Sequence, residues 1–179
     1  MTVYLDHAAT TPLRPEAASA MQEWLDERFG NPSGSHSVAR TARAAVEEAR
    51  EEVAAALGVA PGEVVLTSGG TEADNLAIAG VLARRPGPVV TSAVEHHAVL
   101  HGAAHFAHAA GTEHRIVPVG PDGVIDLDAL EAALDPSVSV VSVMLVNNEV
   151  GTIQPLGEVA ARVRRLAPGA RLHTDAVQA

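Results

Sequence analysis

The sequence contains no cysteine. A disulfide, a thiolate nucleophile and a cysteine-ligated metal are therefore excluded from these residues. Lysine is absent as well: all 12 basic residues are arginine, so chemistry that needs a side-chain amine must find it elsewhere. No apolar run approaches the roughly 18 residues of a membrane span. Met1-Thr2-Val3-Tyr4-Leu5-Asp6 has neither the positive start nor the apolar stretch of a signal peptide, and the cytoplasm is the expected compartment. Acidic and basic residues are interleaved and sum to a formal charge of -10. The basic patch that a nucleic-acid partner needs is missing.

What is present is a chain of 179 residues with 47% hydrophobic content, enough for one domain with a real core. From Val64 onward, short β-branched runs alternate with longer helical patterns, the signature of a mainly parallel sheet covered by helices in an α/β fold. The runs predict strands over 64–67, 89–92, 115–118, 139–145 and 171–174, and helices over 72–83, 97–110, 127–134 and 157–166. Before them, Val38, Ala42, Val46, Ala49, Val53 and Leu57 recur at spacings of three and four, with Gly58 placed to stop the helix. Pro12, Pro15, Asn31-Pro32 and Ser33-Gly34 punctuate the first 35 residues and leave room for one short helix over 16–29. The sequence stops at Ala179 directly after an apparent strand, so an incomplete domain is expected.

The sharpest local signal is Val65-Leu66-Thr67-Ser68-Gly69-Gly70-Thr71-Glu72, a strand running through a glycine turn into a helix. Free N–H groups at a helix start form an anion site that suits a phosphate. The alternative is a tight turn with Thr71 as the helix cap. A P-loop is excluded because Gly-Lys-Ser/Thr is missing, and a dinucleotide fingerprint lacks its third glycine.

Asp175 follows the last predicted strand, at the carboxyl edge where open α/β sheets bind ligands. There it can pair with a ligand cation such as a protonated ring nitrogen, or serve as a turn residue. Asn147-Asn148-Glu149 and Glu95-His96-His97-Ala98 occupy the same edge after two other strands. An imidazole at His96 could stack on a planar ligand or move a proton; a helix cap with solvated histidines is the plainer reading. His97, His101 and His105 recur at four-residue spacing, but no acidic residue or cysteine in that helix completes a zinc set, and no metal site is expected.

Taken together, these segments resemble the cysteine desulfurases, within the class V aminotransferase-like group of pyridoxal-phosphate enzymes. The matching stretches are Tyr4-Leu5-Asp6-His7-Ala8-Ala9-Thr10-Thr11-Pro12, Gly30-Asn31-Pro32-Ser33, residues 67–76, Glu95-His96-His97-Ala98, Asn147-Asn148-Glu149-Val150-Gly151 and Thr174-Asp175-Ala176-Val177-Gln178. They occur in the family's order along the whole chain. Two departures are His7, where asparagine is common, and Gly34, where serine is common.

The resemblance implies the large domain of the fold type I enzymes, with residues 1–14 belonging to the small domain and residues 15–179 to the cofactor-binding domain. It also implies that Gly70 and Thr71 hold the phosphate of pyridoxal 5'-phosphate and that His96 stacks on its ring, available for proton transfer. Asp175 pairs with the ring nitrogen, and Asn148 and Gln178 bond the ring hydroxyl. The implied reaction takes sulfur from L-cysteine as a persulfide, leaves alanine, and serves iron–sulfur cluster assembly or thiolation through an acceptor or scaffold protein; a homodimer is expected. The family's Schiff-base lysine and persulfide-forming cysteine have no match here, so the chain alone is expected to be inactive. A selenocysteine lyase or aminotransferase of the same fold, and a non-catalytic or split-enzyme module, are the other readings.

Overall fold

The computed structural model describes residues 3–179. Met1 and Thr2, which open the expected 1–14 segment and the stretch tested for a signal peptide, lie outside the described residues. The chain divides into two compact units, one ending at Leu66 and one running from Thr67 to Ala179.

The first unit carries α1 (Pro15–Leu25) and α2 (Ser37–Leu57). Pro15 opens α1 where its missing N–H costs nothing, and Glu16 lies in the first turn. The helix is shorter than its sequence pattern. Past Leu25 the chain closes with a wide bond from Arg28 N–H to the Glu23 carbonyl at 2.7 Å, and the Arg28 guanidinium lies 5.8 Å from the Trp24 ring centroid. At the start of α2, His36 Nδ1 accepts the Ala39 N–H at 3.3 Å; at its end, Gly58 adopts φ 68°, which a glycine tolerates at no steric cost. The strand expected over 64–67 does not form. A strand needs a partner for its backbone, and residues 64–67 join no ladder among the described residues. Instead the Val64 carbonyl accepts from Arg50 Nη1 at 2.6 Å, and Val65 and Leu66 stay exposed.

The second unit is a four-stranded parallel sheet in the order β2-β1-β3-β4, built from β1 (Val89–Ser92), β2 (His114–Val117), β3 (Val140–Ser142) and β4 (Arg171–His173). Helices α3 (Gly70–Arg84), α4 (His97–Ala109), α5 (Leu127–Ala133) and α6 (Leu156–Leu166) alternate with the strands. Burial on both faces explains the near-continuous valine runs. Val89 and Val140 point to one face and meet Ile78 and Leu82 of α3 and Val99, Ala103 and Ala107 of α4. Their neighbours Val90 and Val141, with Val117 and Val143, point to the other face and meet Leu130 of α5 and Val159 and Val163 of α6. Two cores thus sandwich one sheet, and each fully buried valine or leucine contributes about 1.5–3 kcal/mol.

Strand β3 is shorter than the run over 139–145 that announces it. Its pairing with the β4 side continues, through Val143 N–H to the His173 carbonyl at 3.1 Å and Leu145 N–H to the Asp175 carbonyl at 2.9 Å. On the β1 side the ladder stops because β1 turns away after Ser92. There the Met144 N–H is taken by the Glu95 carboxyl at 2.8 Å in place of a backbone carbonyl.

Leu130 has no solvent exposure and anchors α5 against the sheet. Leu130→Ala should lower unfolding stability by about 2–5 kcal/mol, read as a fall in the urea midpoint at constant slope. A loss under about 1 kcal/mol would contradict this core assignment.

Candidate functional site

Strand order reverses at β1, which has β2 on one side and β3 on the other. Such a reversal opens a crevice beyond the carboxyl ends of the strands. The loops after β1, β3 and β4 and the start of α3 all belong to this second unit.

Helix α3 begins two residues earlier than its pattern suggests, with Gly69 as N-cap and Gly70 as its first residue. Thr71 is therefore inside the first turn and is not the cap. Among the described residues no side chain caps the helix; Glu72 instead braces the turn before it, its carboxylate accepting the Ser68 N–H at 2.6 Å and hydroxyl at 2.7 Å. Those bonds hold the Glu72 carboxyl below its ordinary value. The first-turn N–H groups of Gly70, Thr71 and Glu72 have no intrahelical acceptor and form the donor set an anion needs.

His96 is the N-cap of α4: its Nδ1 accepts the Ala98 N–H at 3.1 Å. Its exposed ring also stands between two clefts. One, of about 450 Å³, is shared with Thr71, Asn75 and Gly102; the other, of about 280 Å³, with Glu95, Asn148 and Glu149. A Cβ on Gly102 would lie 2.7 Å from Asn75 Oδ1, so the glycine permits the close approach of α4 to α3 that shapes the larger cleft. Gly70, Asp175 and Gln178 line neither of these two clefts. Gly70 nevertheless lies beside Val177, 3.5 Å from the place a Cβ would take. Asp175 is pinned by its carbonyl to Leu145, and its Oδ1 accepts the Val177 N–H at 3.0 Å. Gln178 is half-buried in the turn that follows.

Asn147 has a scaffolding part. Buried, it donates to the Val94 carbonyl at 3.0 Å and accepts the Glu149 and Val150 N–H groups at 2.9 Å, which leaves Asn148 to face the cleft. Along α4 the His97 and His101 rings are 5.4 Å apart and tilted, and among the described residues no three His, Cys, Asp or Glu side chains gather as a metal would require.

The sequence reading gave no role of their own to three titratable groups beneath the crevice, the buried Asp74 and Glu95 and the partly buried His173. Glu95 accepts the Ser92 hydroxyl at 2.5 Å and the Met144 N–H, and Ser142 Oγ lies 3.5 Å from its Oε2. Burial pushes its carboxyl up to about 7, with the Asp175 and Asp74 charges adding to that and the Ser92 and Met144 bonds opposing it. Asp74, on α3, is pushed up to about 6, first by burial and then by the Asp175 charge, with His96 pulling the other way. His173, on β4, has Nδ1 at 2.8 Å from Ser142 Oγ and Nε2 at 3.6 Å from Asp74 Oδ1. Burial lowers its value, and Asp175 opposes the shift. Charges on Asp74, Glu95, His96, His173 and Asp175 thus act on one another across a single sheet edge. The available signal was an acidic residue three positions past a fully buried strand and another on the inner face of a helix.

The Aminotransferase class-V family description matches residues 3–179. The chain belongs to this family. Its curated relatives include cysteine desulfurases: it is 46% identical to cysteine desulfurase IscS of Dictyoglomus turgidum, over 98% of this chain and 45% of that protein. Against the cysteine desulfurase of Cereibacter sphaeroides the identity is 49%, over 99% and 46%. Among solved structures, a NifS-like protein superposes with a TM-score of 0.93 at 37% identity, over 100% of this chain and 50% of the other. A second, described as SspA in complex with cysteine, gives 0.87 at 35%, over 98% and 50%. The chain spans about half the length of the curated relatives it matches.

Both buried carboxyls of this class-V chain have raised values. The stability they carry is fully present below their ordinary values of 3.8 and 4.5 and is lost as pH rises through about 6 for Asp74 and about 7 for Glu95. The double variant Asp74→Asn/Glu95→Gln should therefore gain thermal stability relative to the parent as pH is raised from about 4 to about 8. Parallel Tm curves for the two proteins across that range would refute the assignment.

Proposed function

We propose that this chain forms about half of the pyridoxal-phosphate pocket and its flanking elements in a cysteine desulfurase. The observation that carries the reading is the convergence, at the sheet's switch point, of an anion-binding helix start with an imidazole, an amide and a carboxylate. The desulfurase relatives support the same reading.

The residues fit the cofactor. Gly70 and Thr71 offer first-turn N–H groups to the phosphate at the positive end of α3. Asp175, fixed in a turn at the end of the β3–β4 ladder, offers a carboxylate to the ring nitrogen. Asn148 and Gln178 supply hydrogen-bonding groups for the ring hydroxyl. His96 gives its Nδ1 lone pair to Ala98, so the neutral ring carries its hydrogen on Nε2, and that N–H is the group it would present while stacking on the cofactor. When bound, pyridoxal phosphate supplies an electron-accepting ring.

None of the 179 residues is a lysine or a cysteine. The amine that bonds the cofactor and the thiol that receives sulfur therefore come from outside these residues. L-cysteine is the substrate in this reading, and sulfur passes to an acceptor or iron–sulfur scaffold protein. A second copy of the chain is the partner and the cytoplasm the compartment.

Pyridoxal phosphate should bind this chain noncovalently, with induced circular dichroism in the cofactor band and no adduct after borohydride treatment. Asp175→Ala should weaken that binding about 10- to 100-fold, the worth of one charge-assisted hydrogen bond. The 179-residue chain should release neither sulfide nor alanine from L-cysteine. Failure of the wild-type chain to bind the cofactor would overturn the pocket, and sulfide release would overturn the missing chemistry.

A further inference from the structure

Four side chains beneath the crevice lie in a row from the β1–α4 loop to α3, closest between Ser142 and His173. Glu95 Oε1 already accepts the Ser92 hydroxyl and the Met144 N–H, which leaves Oε2 facing Ser142 Oγ at 3.5 Å. Ser142 Oγ lies 2.8 Å from His173 Nδ1, and the far ring nitrogen faces Asp74 Oδ1 at 3.6 Å. Glu95, Ser142 and Asp74 are buried, and these four side chains come from the β1–α4 loop, β3, β4 and α3. The Ser142 hydroxyl has one hydrogen and two neighbours that want it. If it goes to His173 Nδ1, the ring carries its hydrogen on Nε2, aimed at an Asp74 carboxylate, and Glu95 Oε2 needs a proton of its own to meet the Ser142 lone pair. If it goes to Glu95, every donor reverses: Nδ1–H donates to Ser142, and Asp74 holds the proton that faces Nε2.

We propose that Glu95, Ser142, His173 and Asp74 form a relay that shares one proton between two buried carboxyls at the base of the crevice. Its two states interconvert with all atoms accounted for. Once the 3.5 Å and 3.6 Å contacts close to hydrogen-bond distance, the Glu95 proton passes to Ser142 Oγ, the Ser142 hydrogen to His173 Nδ1, and the Nε2 hydrogen to Asp74, so that the negative charge moves from Asp74 to Glu95. The titratable groups facing this line are His96, next to Glu95 in sequence, and Asp175, two residues past His173. Burial raises both carboxyls, which favours states in which they hold one proton between them over a state with two buried charges. His173 and Asp74 then act as positioning residues. They link α3, which carries Gly70 and Thr71, to β4, which leads into Asp175. This last consequence rests on reading the crevice as the cofactor pocket; the relay itself does not.

The test is nitrogen NMR of His173 in the full chain without cofactor, in the wild type, Glu95→Gln and Asp74→Asn. A glutamine at 95 copies the protonated carboxyl, accepting with its oxygen and donating to Ser142, and should fix the ring as Nε2–H. The wild type at neutral pH should show a neutral ring, its hydrogen on Nε2 or Nδ1 according to which carboxyl holds the proton. With Asp74→Asn, raising the pH until Glu95 ionises should turn the ring to Nδ1–H, because the glutamate then draws the Ser142 hydrogen. The same tautomer in both variants at high pH would overturn the relay, as would imidazolium in the wild type at neutral pH, a measurement that needs no variant to fold. Pyridoxal phosphate affinity separates the consequence. The wild type should lose about tenfold relative to Glu95→Gln between about pH 6 and about pH 8, as a second buried charge appears near an anionic ligand. A ratio that stays constant with pH overturns the positioning consequence. A wild type that binds no cofactor overturns the pocket reading, and the tautomer alone then decides the relay.

Discussion

The crevice depends on one carboxyl group. Strand β1 leaves the sheet after Ser92 while the chain of β3 runs on, and that divergence opens the ligand edge of an α/β sheet. It also strips the outgoing residues of β3 of their backbone partners. Glu95 returns from the loop to meet the Met144 N–H and the Ser92 hydroxyl, so a side chain holds two strand ends at the distance a ladder would otherwise set. Asn147 repeats the device one step outward, joining the loop after β3 to the carbonyl of Val94. An unmet buried amide costs about 1–3 kcal/mol, so removing either group penalises the opening itself.

Much of the fold was legible because burial on both faces writes itself into composition. The valine pairs at Val89-Val90 and Val140-Val141 announce central parallel strands, and Gly58 and the run from Val38 to Leu57 define a helix that the structure reproduces to within a residue. Strand ends were harder to read. Residues 139–145 have one composition throughout, and only the departure of β1 decides where regular pairing stops. Residues 64–67 have the right side chains for a strand and no ladder partner among the described residues; composition carries no information about that.

At the site, the sequence pointed to the sheet edge, and the structure places Thr71, His96 and Asn148 on clefts there because they lie in short motifs at helix starts and past strand ends. It misassigned Thr71 as an alternative cap because a threonine after two glycines looks like one, whereas Glu72 reaches back past it to Ser68. The supporting layer escaped notice for a different reason. Asp74, Glu95 and His173 matter through one another, across about a hundred residues of chain, and no local spacing encodes a meeting of that kind.

His96 shows how closely support and function are combined. Its Nδ1 lone pair is committed to the Ala98 N–H, and that bond holds the first turn of α4. An imidazolium has no lone pair on Nδ1 to give. The cap therefore requires the neutral ring with its hydrogen on Nε2, and the residue that faces both clefts is held in one tautomer by the helix it starts.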